Sequence, residues 1–387
     1  IATQVESGAA TVAGITDDFD GNVRNVTTPD IGADEGTFTL ADFSVPSISY
    51  TPLGFTCATG NRTLTASITD ASGVPTAGAG LPVLYWRINA GAWTAATGVF
   101  VSGSNYDFTF GSGVVTGDVV QYYIVAQDNA GTPNVGAFPS AGAAGFTINP
   151  PAAATAPTTP SSYSISNTLS GTYTVGAAGT YTTLTAAINA YNTSCLGGPV
   201  VFSLIDPAYT TTSDTIRANA YASAVNTLTI KPAATGTTIT GNTTSATIVL
   251  LGADYVTIDG SVSSTANTVC PASSASRDLT ISNTNAGTSS AVVSMNATAG
   301  GDAPTNNTVK NCIITGNTNT TTLVGINNSG TGMASGAGSN FNNNNAIVNN
   351  SISRAVLGIF SAGSGVATKN SGTIINQNEM TGTGANS

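Results

Sequence analysis

Beyond Gly171 the chain is built of short apolar segments that alternate with single polar residues and recur every 20-odd positions. Leu228-Thr-Ile230, Val256-Thr-Ile258 and Leu279-Thr-Ile281 place successive Ile residues 28 and 23 positions apart. Val309-Lys-Asn311, Ile347-Val-Asn349 and Ile374-Ile-Asn376 follow, with their Asn residues 38 and 27 apart. A two-residue alternation puts the apolar side chains on one face of a strand. A recurrence of such strands at 20-odd residues, loosened by loops, is what stacked coils produce. Inward Val, Leu and Ile then form a continuous apolar column, and aligned Asn side chains hydrogen-bond along the ladder. The expectation for 171–387 is a right-handed parallel β-helix, loosened by loops such as the Gly/Ser-rich stretch at 329–340. Thr182–Tyr191 places apolar groups at i, i+3, i+4 and i+7 behind a hydroxyl cap, an amphipathic helix. A second, larger sandwich is the alternative for the same residues. The helix favours the solenoid, because the open end of a coil needs a lid.

Between residue 40 and Pro150 the texture differs. Leu64–Ile68, Val83–Ile88, Tyr106–Phe110 and Val119–Ala126 are short β-forming segments separated by turn residues, the pattern of an antiparallel sandwich. Trp86 is expected to fill its core. The run Pro150-Pro151-Ala-Ala-Ala-Thr-Ala-Pro157-Thr-Thr-Pro160 has no apolar periodicity, so 150–170 reads as a semi-rigid linker.

Composition narrows the function. Only 7% of the 387 residues are charged, and none is histidine. His-based triads and His-ligated metals are therefore excluded. Residues 1–150 hold 12 acidic and 3 basic residues and 151–387 hold 7 and 6, so the net charge of -10 belongs almost wholly to the first part. That charge repels phosphate backbones and anionic lipid, which argues against nucleic acid and membrane surfaces as partners. No stretch approaches the roughly 20 apolar residues of a bilayer crossing. The length predicts two or three domains. The chain opens on Ile1 without a basic start or an apolar signal core, and reads as a mature or excised piece of something longer.

Four strings carry a resemblance: Tyr181-Thr-Thr-Leu-Thr-Ala-Ala-Ile188, Gly252-Ala-Asp-Tyr-Val-Thr-Ile-Asp-Gly260, Arg277-Asp-Leu-Thr-Ile-Ser-Asn-Thr284, and Asp17-Asp-Phe-Asp-Gly-Asn-Val-Arg24 followed by Pro29-Asp-Ile-Gly-Ala-Asp-Glu35. They resemble the tandem-repeat extracellular surface proteins of Bacteroidota, giant secreted adhesins and surface filaments with alternating Ig-like and β-helix modules. The resemblance implies an all-β chain: an Ig-like or fibronectin-III-like sandwich at 40–149, then a right-handed parallel β-helix with a short capping helix. In such proteins the string at 17–35 is similar to a segment that closes a β-helix. Here it precedes the sandwich, so 1–39 reads as the tail of a preceding helix and 171–387 as a helix incomplete at its C-terminal end. Both needs would be met by the same longer polypeptide or by an identical chain joined head to tail.

Candidate sites are few. Asp18, Asp20, Asn22, Asp30 and Asp34 offer oxygen ligands for Ca²⁺. An EF-hand fails, because Val23 and Pro29 stand where a Gly and a Glu are required; the other reading is turns whose Asp side chains accept backbone N–H groups. Of four scattered cysteines, Cys195 and Cys270 lie in loop-like contexts and are the candidates for a bridge. Cys57 and Cys312 read as buried and inert, with an intermolecular thiol as the alternative for Cys57. No catalytic or cofactor-binding residues are expected. The carboxylates of the second half, Asp206, Asp214, Asp254, Asp259, Asp278, Asp302 and Glu379, do not form the pattern of a glycosidase or lyase. Thr-x-Thr triplets are out of phase with the coil period, which disfavours an ice-binding face. Asn-x-Ser/Thr triplets occur by composition alone. The expectation is a non-enzymatic structural and adhesive module of an extracellular, cell-surface filament, self-associating and in contact with cell-surface glycans. A carbohydrate-binding or polysaccharide-degrading β-helix is the alternative.

Overall fold

The computed structural model describes residues 5–37, 41–263, 276–330, 341–363 and 369–381, which are nearly all β with a single helix. The chain divides into two units. The first comprises Ile1–Gly54 and Ala58–Ile165, the second Phe55–Cys57 and Ser166–Ser387.

In the first unit, residues 5–37 form turns around a bridge between Asp17 and Val23. Then come β1 (Ser47–Ser49), β2 (Arg62–Thr69), β3 (Val83–Ile88), β4 (Thr94–Thr97), β5 (Val99–Ser102), β6 (Asn105–Phe110), β7 (Val119–Gln127), β8 (Val135–Phe138), β9 (Phe146–Thr147), β10 (Ala152–Ala153) and β11 (Ser161–Ser164). One antiparallel sheet has the order β1-β2-β6-β5, the other β11-β7-β3-β4 with β8 also on β7. Alternation explains the packing. Leu64, Ala66 and Ile68 of β2 and Tyr106, Phe108 and Phe110 of β6 point the same way as pleated neighbours, and join Leu84, Val120, Tyr122 and Ile124 in one buried cluster. Trp86 is only partly buried, at the margin of this cluster and 6.2 Å from the Phe110 ring. The centre expected for it is filled by Tyr106, Phe108, Phe110 and Tyr122.

The expected linker at 150–170 is corrected: it holds β10, β11 and the start of the next strand. β8 pairs with Ile124–Gln127 and β11 with Val119–Tyr122, so the two are pieces of one sheet edge with 139–160 inserted between them. Proline is tolerated at such an edge, where a missing N–H breaks no ladder. The insertion returns to the sheet, with the Tyr85 hydroxyl donating to the Pro151 carbonyl at 3.1 Å. The first unit therefore runs to Ile165 and not to residue 149.

The second unit begins with β12 (Thr168–Val175) and helix α1 (Leu184–Asn192). Five coils of three strands follow: β13 (Cys195–Leu204), β14 (Ala208–Thr211) and β15 (Asp214–Arg217); β16 (Leu228–Pro232), β17 (Thr237–Gly241) and β18 (Ala246–Leu251); β19 (Val256–Asp259), β20 (Leu279–Asn283) and β21 (Ser290–Asn296); β22 (Thr308–Lys310), β23 (Cys312–Thr315) and β24 (Thr322–Ser329); β25 (Ala346–Val348), β26 (Ser351–Ser353) and β27 (Leu357–Ala362). A further turn adds β28 (Ile374–Asn376) and β29 (Glu379–Thr381). Corresponding strands pair in parallel, giving sheets of seven, six and five strands, the arrangement of a parallel β-helix.

The pairing stacks like on like. Phe202, Ile230, Ile258, Val309, Ile347 and Ile375 form one column. Tyr209, Ile239, Ile281, Ile314, Ile352 and Met380 form a second. Ile230 and Ile258 are thus true repeats 28 positions apart, but Leu279–Ile281 belongs to the second sheet, and the interval of 23 is a step around the coil. The next partner of Ile258 is Val309, because an insertion lengthens that coil.

Asn349 donates from Nδ2 to Asn311 Oδ1 at 2.8 Å, and Asn311 to Asp259 Oδ1 at 2.8 Å, a ladder along the coils. Asn311 and Asn349 have left-handed backbones, φ 58° and 53° in that order, which Asn tolerates better than most residues. Asn376 is not in that column: it pairs with Val348 inside the sheet, and the corner falls on Gln377 at φ 57°. Two further ladders run along the coils, with Asn307, Asn345 and Asn350 fully buried. Asn307 Oδ1 accepts from Val256 N and Asn345 Oδ1 from Asn307 N, both at 2.9 Å. Asn350 Oδ1 accepts from Cys312 N and Asn378 Oδ1 from Asn350 N, both at 3.0 Å. Their amide groups return hydrogen bonds to carbonyls, so buried corners stay satisfied.

Helix α1 covers the first coil with buried Leu184, Ala187, Ile188 and Tyr191. It starts at 184 because the Thr183 hydroxyl accepts from Ala186 N at 3.1 Å, as N-caps do.

Candidate functional site

The acidic residues of the first segment are used as turn caps. Asp18 Oδ1 accepts from the backbone of Asp20 and Asn22, and its Oδ2 from Glu35 N and Asn22 Nδ2, at 2.7–3.0 Å. Burial by itself would raise its pKa, but these bonds together hold the carboxyl well below the usual carboxylate range. Asp30 accepts from Gly36 N and Ser7 N, which with Arg24 lower its pKa. Glu35 accepts from Asn25 N and Asp30 N. Asp34 is pushed up, first by its contact with the Asp18 carboxyl. Asp18 and Asp30 thus spend their oxygens on N–H groups of the segment itself, and Asp34 lies against the Asp18 carboxyl.

Among the described residues the group that could hold a metal is Asp42, Asp70 and Asp128, whose ligand atoms lie within 4.8 Å of one another. Two oxygens ~2.4 Å from a common ion are at most about 4.8 Å apart, so the spacing fits a hard cation such as Ca²⁺. Asp70 directly follows β2 and Asp128 directly follows β7, while Asp42 lies in the approach to β1. The Ser44 and Ser72 hydroxyls and the Ser44 N–H hold the Asp42 carboxyl well below the usual range. Burial pushes Asp70 up, aided by the charges of Asp42 and Asp128 and opposed by the Ser72 N–H. Asn134 fastens the group by donating to the Asp128 carboxylate at 2.7 Å and to the Asp42 carbonyl at 3.0 Å. The sequence held a partial sign in the turns Asp70-Ala-Ser-Gly73 and Asp128-Asn-Ala-Gly131, each just after a strand. Nothing local shows that the two turns meet.

The disulfide expectation is corrected. Cys195 is bonded to Cys57, 138 positions away, with Cα atoms 6.2 Å apart. Cys270, the expected partner, lies outside the described residues. Phe55–Cys57 belong with the second unit because their backbone and rings find partners there: Ser166 N donates to Thr56 O at 2.8 Å, and the Phe55 ring lies 6.0 Å from that of Tyr221. Cys195 N donates to Asn167 O at 2.9 Å, beside the same segment. Cys312 is buried and free, and burial pushes its thiol well up.

The carboxylates of the second unit serve the coils. Asp206 accepts from Ala177 N at 2.7 Å, Asp254 from Thr305 N at 2.7 Å, and Asp278 from Val262 N at 2.9 Å. Asp259 faces Lys310 inside the protein. Among the described residues no helix is long and apolar enough to cross a membrane. Compared with known proteins, the chain matches no family model and no curated protein.

Proposed function

We propose that the chain is a structural and adhesive repeat module of a secreted bacterial surface filament or appendage, which binds identical chains or further repeats of its own polypeptide. The observation that carries this reading is the apolar face of residues 5–37. Their backbone is held by the Asp18, Asp30 and Glu35 carboxylates, yet Phe19, Val23 and Val26 are 87%, 75% and 83% exposed. A groove of about 550 Å³ is lined there by Val12, Ile15, Val23, Val26 and Ile31. An ordered segment with that much exposed apolar surface is built for a partner.

The occupant we assign is the last described coil of another copy. Ile375 and Met380, ends of two apolar columns, are 47% and 54% exposed there. That region also carries exposed Arg354 and Lys369, which complement an acidic segment whose basic residue is Arg24. A neutral Thr/Asn/Ser-rich surface adds little charge repulsion to such packing.

Finer points of fold support the same reading. The sheet orders β1-β2-β6-β5 and β4-β3-β7 with β8 and β11 follow the A-B-E-D and C′-C-F-G scheme of an Ig-like domain. A right-handed winding is the hand strongly favoured for parallel crossovers. A disulfide fits an oxidising, extracytoplasmic setting. Carboxylates committed to backbone caps favour a non-enzymatic role over the polysaccharide-degrading alternative.

Sedimentation and negative-stain microscopy of the full chain test the proposal. Linear head-to-tail particles are expected from the natural sequence, and single particles from Val26→Asp. Dispersed monomers of the natural chain at high concentration would overturn it.

A further inference from the structure

We propose that Lys310 and Asp259 condense to an isopeptide bond that joins two neighbouring coils covalently. Asp259 closes β19 and Lys310 closes β22, and the two are direct register partners in the first parallel sheet. Both side chains are withdrawn from water, at 1% and 0% exposure, and Lys310 Nζ stands 3.5 Å from Asp259 Oδ2. A charge-assisted hydrogen bond closes to roughly 2.7–2.9 Å. Two opposite charges are thus held next to each other out of water. Conversion to a neutral amide removes both charges at once.

The surroundings are arranged for that conversion. Asp259 Oδ1 accepts from Asn311 Nδ2 at 2.8 Å and from Ser261 N at 3.1 Å. Two donors on one oxygen stabilise negative charge there during addition to Cγ, as an oxyanion hole does, and leave the other oxygen toward the amine. The strands hold both partners in place before reaction, which replaces the entropy cost of an encounter. Gly260 N donates to Lys310 O at 2.8 Å, so the backbone nitrogen that could cyclise onto Asp259 is engaged elsewhere. Gly260 is also pressed against the neighbouring coil: a Cβ there would come within 2.1 Å of Asn311 O.

The chemistry balances without a further reagent. One ammonium proton passes from Nζ to Oδ2. The nitrogen lone pair then adds to Cγ, and negative charge collects on Oδ1. A second Nζ proton moves to Oδ2, the Cγ–Oδ2 bond breaks and water leaves. One C–N bond has formed, one C–O bond has broken, and no electrons are gained or lost.

Intact-mass measurement of the purified chain is the test, followed by digestion and peptide sequencing. The expected mass is one water below that of the disulfide-bonded sequence, with a branched peptide joining residues 259 and 310. Lys310→Arg is expected to restore the full mass. Full mass in the natural chain overturns the proposal. So does a missing water that persists in Lys310→Arg with only linear peptides, which would mean cyclisation of Asp259 onto Gly260. If Lys310→Arg fails to fold, the branched peptide from the natural chain decides alone.

Discussion

Asp214 stands in a column where the later coils place Ile248, Val293, Ile326 and Ile359. It is tolerated because it lies in the first of these coils, where the Thr185 hydroxyl of helix α1 donates to Oδ1 at 2.7 Å. Burial nevertheless raises its pKa above 3.8, outweighing the Thr185 and Thr211 hydroxyls. A carboxyl with a raised folded-state pKa favours the fold while protonated. Its charge costs stability as pH rises from the unfolded value through the folded one. Asp214→Asn is therefore expected to stabilise the chain near neutral pH by about 1–3 kcal/mol, the usual cost of a buried polar group short of partners. The gain should vanish well below pH 3.8, where Asp214 is neutral too. Urea denaturation at both pH values checks this, and an equal effect at the two would refute it. Single residues were the least legible scale. Asp18 and Asp30 stand out in the sequence, but whether their oxygens face a cation or an N–H depends on where Glu35, Gly36 and Ser7 come to lie.

The elements show a sharper division between what is local and what is not. Buried Asn350 receives Cys312 N and donates to Val309 O at 2.9 Å, so it satisfies two groups of the preceding coil. Asn350→Ala strands both in a dry corner, at about 1–3 kcal/mol for each buried group left unpaired. A chemical-denaturation midpoint unchanged from the natural chain would rule out a structural role for the ladder. Strands such as Leu228–Ile230 and helix α1 were legible because alternation, β-branching and a hydroxyl cap act within a few residues. The sheet to which each strand belongs was not. Ile258 is followed at the same position by Val309 and then Ile347, and insertions of unequal length hide the period. Nor does a chain so rich in Asn distinguish Asn350 from a solvated neighbour. The linker expected at 150–170 fails for a related reason: weak propensity is overridden by an open edge of β7 that accepts β11 just after the proline-rich run.

At the scale of the whole molecule, the Cys57–Cys195 bond closes a loop of 138 positions around a sequence that contains β2 to β12 and the helix. Neither cysteine announces the other. Their meeting depends on Phe55–Cys57 leaving the β1–β2 connection to join the second unit, which no local pattern specifies. Long closed loops lose the most freedom when unfolded, so in the chain-entropy account this bond is worth about 4–5 kcal/mol. Its loss should weaken the second unit and leave the antiparallel core, which shares none of its cysteines, to melt as before. Cys57→Ser is thus expected to lower one of two resolved calorimetric transitions, and a reductant should lower the same transition in the natural chain. Cys312 serves as an internal control: buried and free, it should react with a thiol reagent only after unfolding, with or without the bridge. A single transition shifted as a whole would mean instead that the two units unfold as one.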